Sequence, residues 1–61
     1  MTIELLELQR FRRTLNALRL DLGDMSRRGD LSFQTWLELD VKVADVLDEL
    51  RRVEDILLER I

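Results

Sequence analysis

The stretch Ser26-Arg27-Arg28-Gly29-Asp30-Leu31-Ser32 decides the fold, because it separates two long segments of helical periodicity. Gly29 can adopt the left-handed conformation that ends a helix, and Asp30 or Ser32 can cap the next one. A connection this short makes the two helices antiparallel neighbours.

Before this turn, the apolar residues recur at alternating steps of three and four, which is the spacing of one face of a helix. They are Leu8, Phe11, Leu15, Leu18, Leu22 and Met25. Thr2 is a candidate N-cap, and Glu4 in the first turn suits the positive end of the helix dipole. We therefore predict a first helix over about 3–28, with Gly23 as a weak point at which it frays or kinks.

After the turn, the same spacing continues for an equal length. The residues are Trp36, Leu39, Val43, Val46, Leu50, Val53 and Leu57. We predict a second helix over about 31–60, supported by the pairs Glu38 with Lys42 and Asp48 with Arg52. The expected fold is all-α: one domain over residues 1–61, a two-helix antiparallel hairpin of the coiled-coil type whose interhelical seam consists of these two rows.

The composition excludes most of the chemistry known in small domains. The chain has 61 residues, of which 46% are apolar and 38% charged, and it has no Cys, no His and no Pro. Neither a disulfide framework nor a thiolate or imidazole metal site is available. Carboxylates such as Asp45, Asp48 and Glu49 fall on an outward helix face, where acid-base catalysis has no pocket. We expect no enzyme, no cofactor and no metal.

The charge pattern and the short apolar runs bear on location and partners. The longest apolar run is far below the roughly 20 residues that a bilayer span needs, and no signal peptide is evident, so we expect a cytoplasmic protein. The net charge is −3, which argues against a general nucleic-acid or membrane surface. The basic first half and the acidic second half attract each other.

A second apolar stripe on each helix remains uncovered in a lone hairpin, and we predict that it binds a partner. The predicted partner-binding residues are Phe33, Leu37, Ala44, Leu47, Leu58 and Ile61 on the second helix, with Leu6 and Leu20 on the first. Burial of about 25 cal/mol per Å² barely balances the roughly 1.5 kcal/mol per residue of ordering entropy in so small a unit. The hairpin is therefore completed either by a homodimer, as a four-helix bundle, or by another protein.

Two further features allow alternative interpretations. Arg10, Arg12, Arg13 and Arg19 either form a basic strip that grips RNA phosphates in a homodimeric bundle, or form a solvated face that is paired with the acids of the second helix. Trp36, the only Trp, is either a seam residue or an interface anchor.

The turn region resembles a known family. Arg28-Gly29-Asp30, followed by the aromatic-Gln pair Phe33-Gln34 and then by Trp36, is similar to the turn of the small co-chaperones of type III secretion needle subunits, the YscE-like family. The resemblance covers about nine residues. It implies a short cytoplasmic helical hairpin that works in protein transport: it would bind a tetratricopeptide-like chaperone, and the pair would hold the needle subunit monomeric until export.

Overall fold

The computed structural model describes residues 3–60, and over that range the chain is two helices, α1 (Ile3–Arg27) and α2 (Phe33–Glu59). They pack side by side along an elongated body of 45 × 15 × 10 Å. The predicted all-α hairpin is therefore confirmed, with helix ends within two residues of the expected ones. Thr2 and Ile61 lie outside the described residues.

The first helix ends as the sequence predicts. Gly29 has φ of 84°, its N–H donates to the carbonyl of Ser26, and the N–H of Asp30 donates to the carbonyl of Met25 at 2.9 Å. This pair of bonds is the Schellman motif, which requires the left-handed conformation that glycine adopts at low cost. The chain therefore leaves α1 abruptly and turns back.

The second helix begins at a polar cap. Ser32 has extended backbone dihedrals, and its hydroxyl accepts a hydrogen bond from the backbone N–H of Thr35 at 3.2 Å. Of the two caps that the sequence allowed, the structure uses Ser32. Helix α1 is continuous through Gly23, so the fraying expected there is wrong, whereas the alternative of a kink stays a prediction. Arg52 pairs with Glu49 at 2.5 Å, rather than with Asp48 as predicted.

The interhelical seam differs from the predicted one by a rotation of each helix. About half of the residues predicted to form the seam lie in it. Phe11 and Val46, which were also predicted there, are 54% and 46% exposed. The observed seam consists of Leu5, Leu8, Arg12, Leu15, Arg19 and Leu22 in α1, and of Trp36, Asp40, Val43, Leu47, Leu50, Glu54 and Leu57 in α2. Both rows keep the alternation of three and four steps that two packed helices need. The prediction was wrong at every second position. At five of these six positions the seam instead uses the next residue along the chain, which is charged in four cases and is Leu47 in the fifth.

Little apolar surface is buried by this arrangement. Among the described residues, the buried hydrophobic side chains are Leu5, which is fully buried, and Leu47, which is 8% exposed. Glu54 is also buried, at 6% exposure. A packed domain normally encloses several apolar side chains that each touch many others. The hairpin by itself does not enclose a complete hydrophobic core.

Candidate protein-binding faces

One side of the hairpin is an apolar surface, which we call the apolar face. It consists of Phe11, Leu18 and Met25 from α1 and Leu39, Val46 and Val53 from α2. In each helix these residues are seven apart, and all but Met25 directly precede a residue of the observed seam. In an antiparallel helix pair, positions of this kind from the two helices flank the same side of the seam. The six side chains therefore form one surface on one side of the molecule.

Two shallow apolar depressions follow the apolar face. One lies over α1 and reaches across to Val43 of α2, with Leu18, Leu22 and Met25 among its walls. The other lies over α2, between Val46 and Val53. Depressions of this shape receive the side chains of another helix when helices pack with ridges in grooves. The apolar face thus has both the chemistry and the relief of a helix-packing surface.

The rotation of the seam is accompanied by an ion pair that crosses it. The Nε of Arg12 in α1 donates to Oε2 of Glu54 in α2 at 2.7 Å. The Glu54 side chain is 7% exposed, so its carboxylate needs this partner. Each member of this charged pair lies in the seam one residue after the apolar residue, Phe11 or Val53, that the sequence analysis had assigned to it.

A second ion pair lies nearer the turn. Arg19 donates from Nε to Oδ1 of Asp40 at 2.6 Å and from Nη2 to Oδ2 at 3.0 Å, a two-bond contact between the planar guanidinium and the carboxylate. The hydrogen bond from Arg19 holds the pKa of Asp40 below its usual value, and the same bond raises the pKa of Arg19. Two ion pairs thus cross the seam between α1 and α2.

The opposite side of the hairpin, which we call the mixed face, combines polar and apolar residues. Its centre is a groove of about 210 Å³. The groove is lined by Arg12, Asn16, Arg19, Ala44, Leu47, Asp48 and Arg51. Leu37 and Leu58 lie seven residues before Ala44 and seven after Arg51, so they continue the same row of α2 toward the two ends of the hairpin. The mixed face is therefore polar in the middle and apolar at both ends.

The predicted partner-binding residues fall mainly on or beside the mixed face. Leu37, Leu58 and Leu6 are about half exposed, and Leu20 is 68% exposed. Phe33 is also 68% exposed, at the turn end. Their role in binding stays a prediction.

Two other predicted contacts are less accessible. Leu47 is buried in the seam and Ala44 is half-buried beside it, because the rotated seam brings this part of α2 onto α1. Ile61 lies outside the described residues. The apolar face was missed as a surface, since sequence analysis assigned its residues to the seam.

Trp36 belongs to the seam, which answers the question that the sequence left open. It is half-buried, its ring centroid lies 5.5 Å from that of Phe33, and its indole Nε1 is buried without a hydrogen-bond partner. A Cβ placed on Gly23 would lie 3.8 Å from this nitrogen. The glycine of α1 therefore faces the indole of α2 across the closed end of the hairpin.

The structure does not bring the four arginines of α1 together as one basic strip. Arg12 and Arg19 bind carboxylates across the seam, whereas Arg10 and Arg13 are exposed on the outer surface. The interpretation in which the arginines pair with acids of α2 is confirmed for two of the four.

Residues 3–60 contain neither a cluster of metal-ligating side chains nor a helix able to span a membrane. Within that range, no group of three or more His, Cys, Asp or Glu side chains is arranged to hold a metal ion. Neither α1 nor α2 is long and apolar enough to cross a membrane. Comparison with protein-family models, with curated protein sequences and with solved structures finds no match to the chain.

Proposed function

We propose that this protein is a non-enzymatic protein-binding module, which acts by supplying two helices to a larger helical assembly. One observation carries the proposal: the hairpin exposes far more large apolar side chains than it buries. Leu5 and Leu47 are buried, while thirteen large hydrophobic residues among those described are exposed. Several of these residues lie together on the apolar face, and a contiguous apolar patch marks a site of association with another protein.

The physical argument concerns stability. A 61-residue chain with full helical order loses conformational entropy on the order of 1.5 kcal/mol per residue, and burial in one narrow seam scarcely offsets it. Helices in proteins draw most of their stability from packing of an apolar face and not from intrinsic helix propensity. Further helices against the exposed faces supply the missing burial, so binding and folding are coupled in this protein.

A co-chaperone of a type III secretion needle subunit is the finer form of this proposal. It is supported by the resemblance at the turn, whose residues form a Schellman motif at Gly29 and place Phe33 beside Trp36. An aromatic side chain as exposed as Phe33 is suited to anchor a contact with a partner. In this form, the partners are a tetratricopeptide-like chaperone and the needle subunit, and the hairpin works in the cytoplasm.

Co-expression tests the finer proposal. The tagged chain is produced together with the needle subunit and the tetratricopeptide-like chaperone of its own organism, and the purified material is analysed by size-exclusion chromatography with light scattering. We expect a complex that keeps the needle subunit monomeric. Leu37→Asp should abolish co-purification, because it places a charge in the apolar end of the mixed face.

The matched control is Glu38→Gln, a change at the next residue that leaves the apolar end of the mixed face unchanged and should leave the complex intact. A needle subunit that polymerises equally with and without the chain contradicts the co-chaperone function. Full co-purification of the Leu37→Asp variant contradicts the assignment of the mixed face.

A further inference from the structure

We infer that the apolar face binds a second copy of this chain, and that the two hairpins form a symmetric four-helix bundle in which α1 of each copy packs against α2 of the other. This inference rests on the proposed function, because it names the occupant of one of the two faces. Three features support it: the area of the exposed surface, the charges of the two helices and the position of the two ion pairs.

The accessible surface of the hairpin matches what a dimer needs. The 7.3 kDa chain exposes 4890 Å². A folded monomer of that mass is expected to expose about 4,200 Å². The excess is about 700 Å² per chain, or about 1,400 Å² for two chains, which lies inside the range of about 1,200–2,000 Å² for a stable interface. One further hairpin of the same size is enough to cover the excess.

The chemistry of the apolar face also fits a permanent contact with the same face of a second copy. Its six residues carry no charge, and such a charge-depleted surface is typical of the interior of homodimer interfaces. The two partly buried ion pairs lie in the intrachain seam, where each charge has its partner within the same chain. A second copy can therefore approach without leaving a charge buried and unpaired.

Helix charges select the arrangement. Helix α1 carries five Arg and four carboxylates, a net charge of +1, whereas α2 carries three basic residues and eight carboxylates, a net charge of −5. Packing α2 against α2 of the second copy would set two strongly acidic helices side by side. Packing α1 against α2 of the second copy avoids that repulsion. The two-fold axis then runs parallel to the helices, and both turns lie at the same end of the bundle.

Sedimentation equilibrium over a concentration series tests the dimer. The wild-type chain should sediment as a dimer, and Val46→Ala should raise the dissociation constant about tenfold or more, since it removes apolar contact from both copies. Val46→Asp should raise it at least about 100-fold. Leu20→Asp is the matched control, because Leu20 is more exposed than Val46 but lies away from the apolar face.

Distances between spin labels test the arrangement. The chain has no Cys, so Gln34→Cys in the exposed first turn of α2 provides one label per copy. With helices packed about 8–10 Å apart and both turns at one end, the two labels should lie roughly 20–35 Å apart. With the turns at opposite ends, their separation would approach the 45 Å length of the hairpin.

Each outcome decides between named alternatives. A helical wild-type chain that sediments as a monomer overturns the inference, and so does a dimer that Leu20→Asp dissociates and Val46→Ala does not. A label distance near 45 Å overturns the arrangement. If the proposed function fails instead, the dimer persists while the needle subunit and its chaperone do not bind, so the two failures are distinguishable.

Discussion

Arg12 of α1 and Glu54 of α2 are joined by a 2.7 Å contact across the seam, although they are 42 residues apart in the chain. Neither residue belongs to the row of apolar residues that the sequence predicts for the seam of its helix. In the same rotation of the two helices, Phe11, Leu18, Val46 and other apolar residues remain on one open side. The ion pair and the apolar face are two consequences of the same rotation.

Removal of one member of this pair should destabilise the hairpin. Arg12→Leu leaves the buried carboxylate of Glu54 without its hydrogen-bond donor, which we expect to cost about 2–3 kcal/mol in the free energy of unfolding. Urea denaturation at fixed protein concentration and pH 7 measures this change. The double variant Arg12→Leu with Glu54→Leu should recover wild-type stability or exceed it, because an apolar pair of similar size needs no desolvation of charge. A double variant less stable than Arg12→Leu alone would disprove this view of the seam.

The Arg19–Asp40 pair should make stability depend on pH. The hydrogen bond from Arg19 lowers the pKa of Asp40 in the folded state. A lowered pKa means that the pair stabilises the fold above the ordinary Asp pKa of about 4, and that this contribution is lost as the pH falls through the folded-state pKa. We expect Asp40→Asn to be less stable than wild type at pH 7, with the two urea midpoints converging at pH 2–3. A difference that stays constant from pH 7 to pH 2 would contradict this role.

Gly23→Ala should stabilise the protein. The glycine lies inside α1, and an added Cβ would meet Nη1 of Arg27 at 3.7 Å and Nε1 of Trp36 at 3.8 Å, both ordinary contacts. Alanine in a helix interior is favoured over glycine by about 1 kcal/mol. Thermal unfolding followed by circular dichroism should show a rise in Tm of roughly 4–8 °C. A lower Tm would mean that the indole of Trp36 needs more room than the structure indicates.

Alanine at the other glycine, Gly29, should destabilise the protein. Gly29 has φ of 84° and open space around its Cα, so the effect of Gly29→Ala is conformational and not steric crowding by neighbours. A side chain in the left-handed region costs about 1–2 kcal/mol. The Tm should fall, and this change is the internal control for Gly23→Ala. An unchanged Tm would show that the turn is not held in the Schellman geometry.

The helices and their turn could be predicted from sequence because their signals are local. Gly29 ends α1 and Ser32 caps α2 through contacts within a few residues. Spacing by three and four follows from the helix itself, so it holds before any partner is known. The fraying expected at Gly23 did not occur, because a cost of about 1 kcal/mol for one glycine is too small to end a helix of 25 residues.

The rotation of the two helices about the seam could not be predicted from the sequence of either helix alone. Ranking rows by hydrophobicity selects the row with Phe11 and Leu18, whereas the observed contact depends on which charges of α1 meet which charges of α2. A signal was present: the row of α1 that contains Arg12 is interrupted by arginines, and the facing row of α2 is interrupted by carboxylates such as Glu54. Complementary interruptions of this kind indicate a charged seam.

We propose that two helices alone do not complete this fold. The most direct measurement is the far-ultraviolet circular dichroism of the wild-type chain, with its thermal unfolding, over a hundredfold or wider dilution series into the low micromolar range. We predict that helicity falls on dilution and that Tm rises with protein concentration, as mass action requires for folding coupled to association. A chain that stays fully helical and monomeric, with the same Tm at every concentration, would contradict the account.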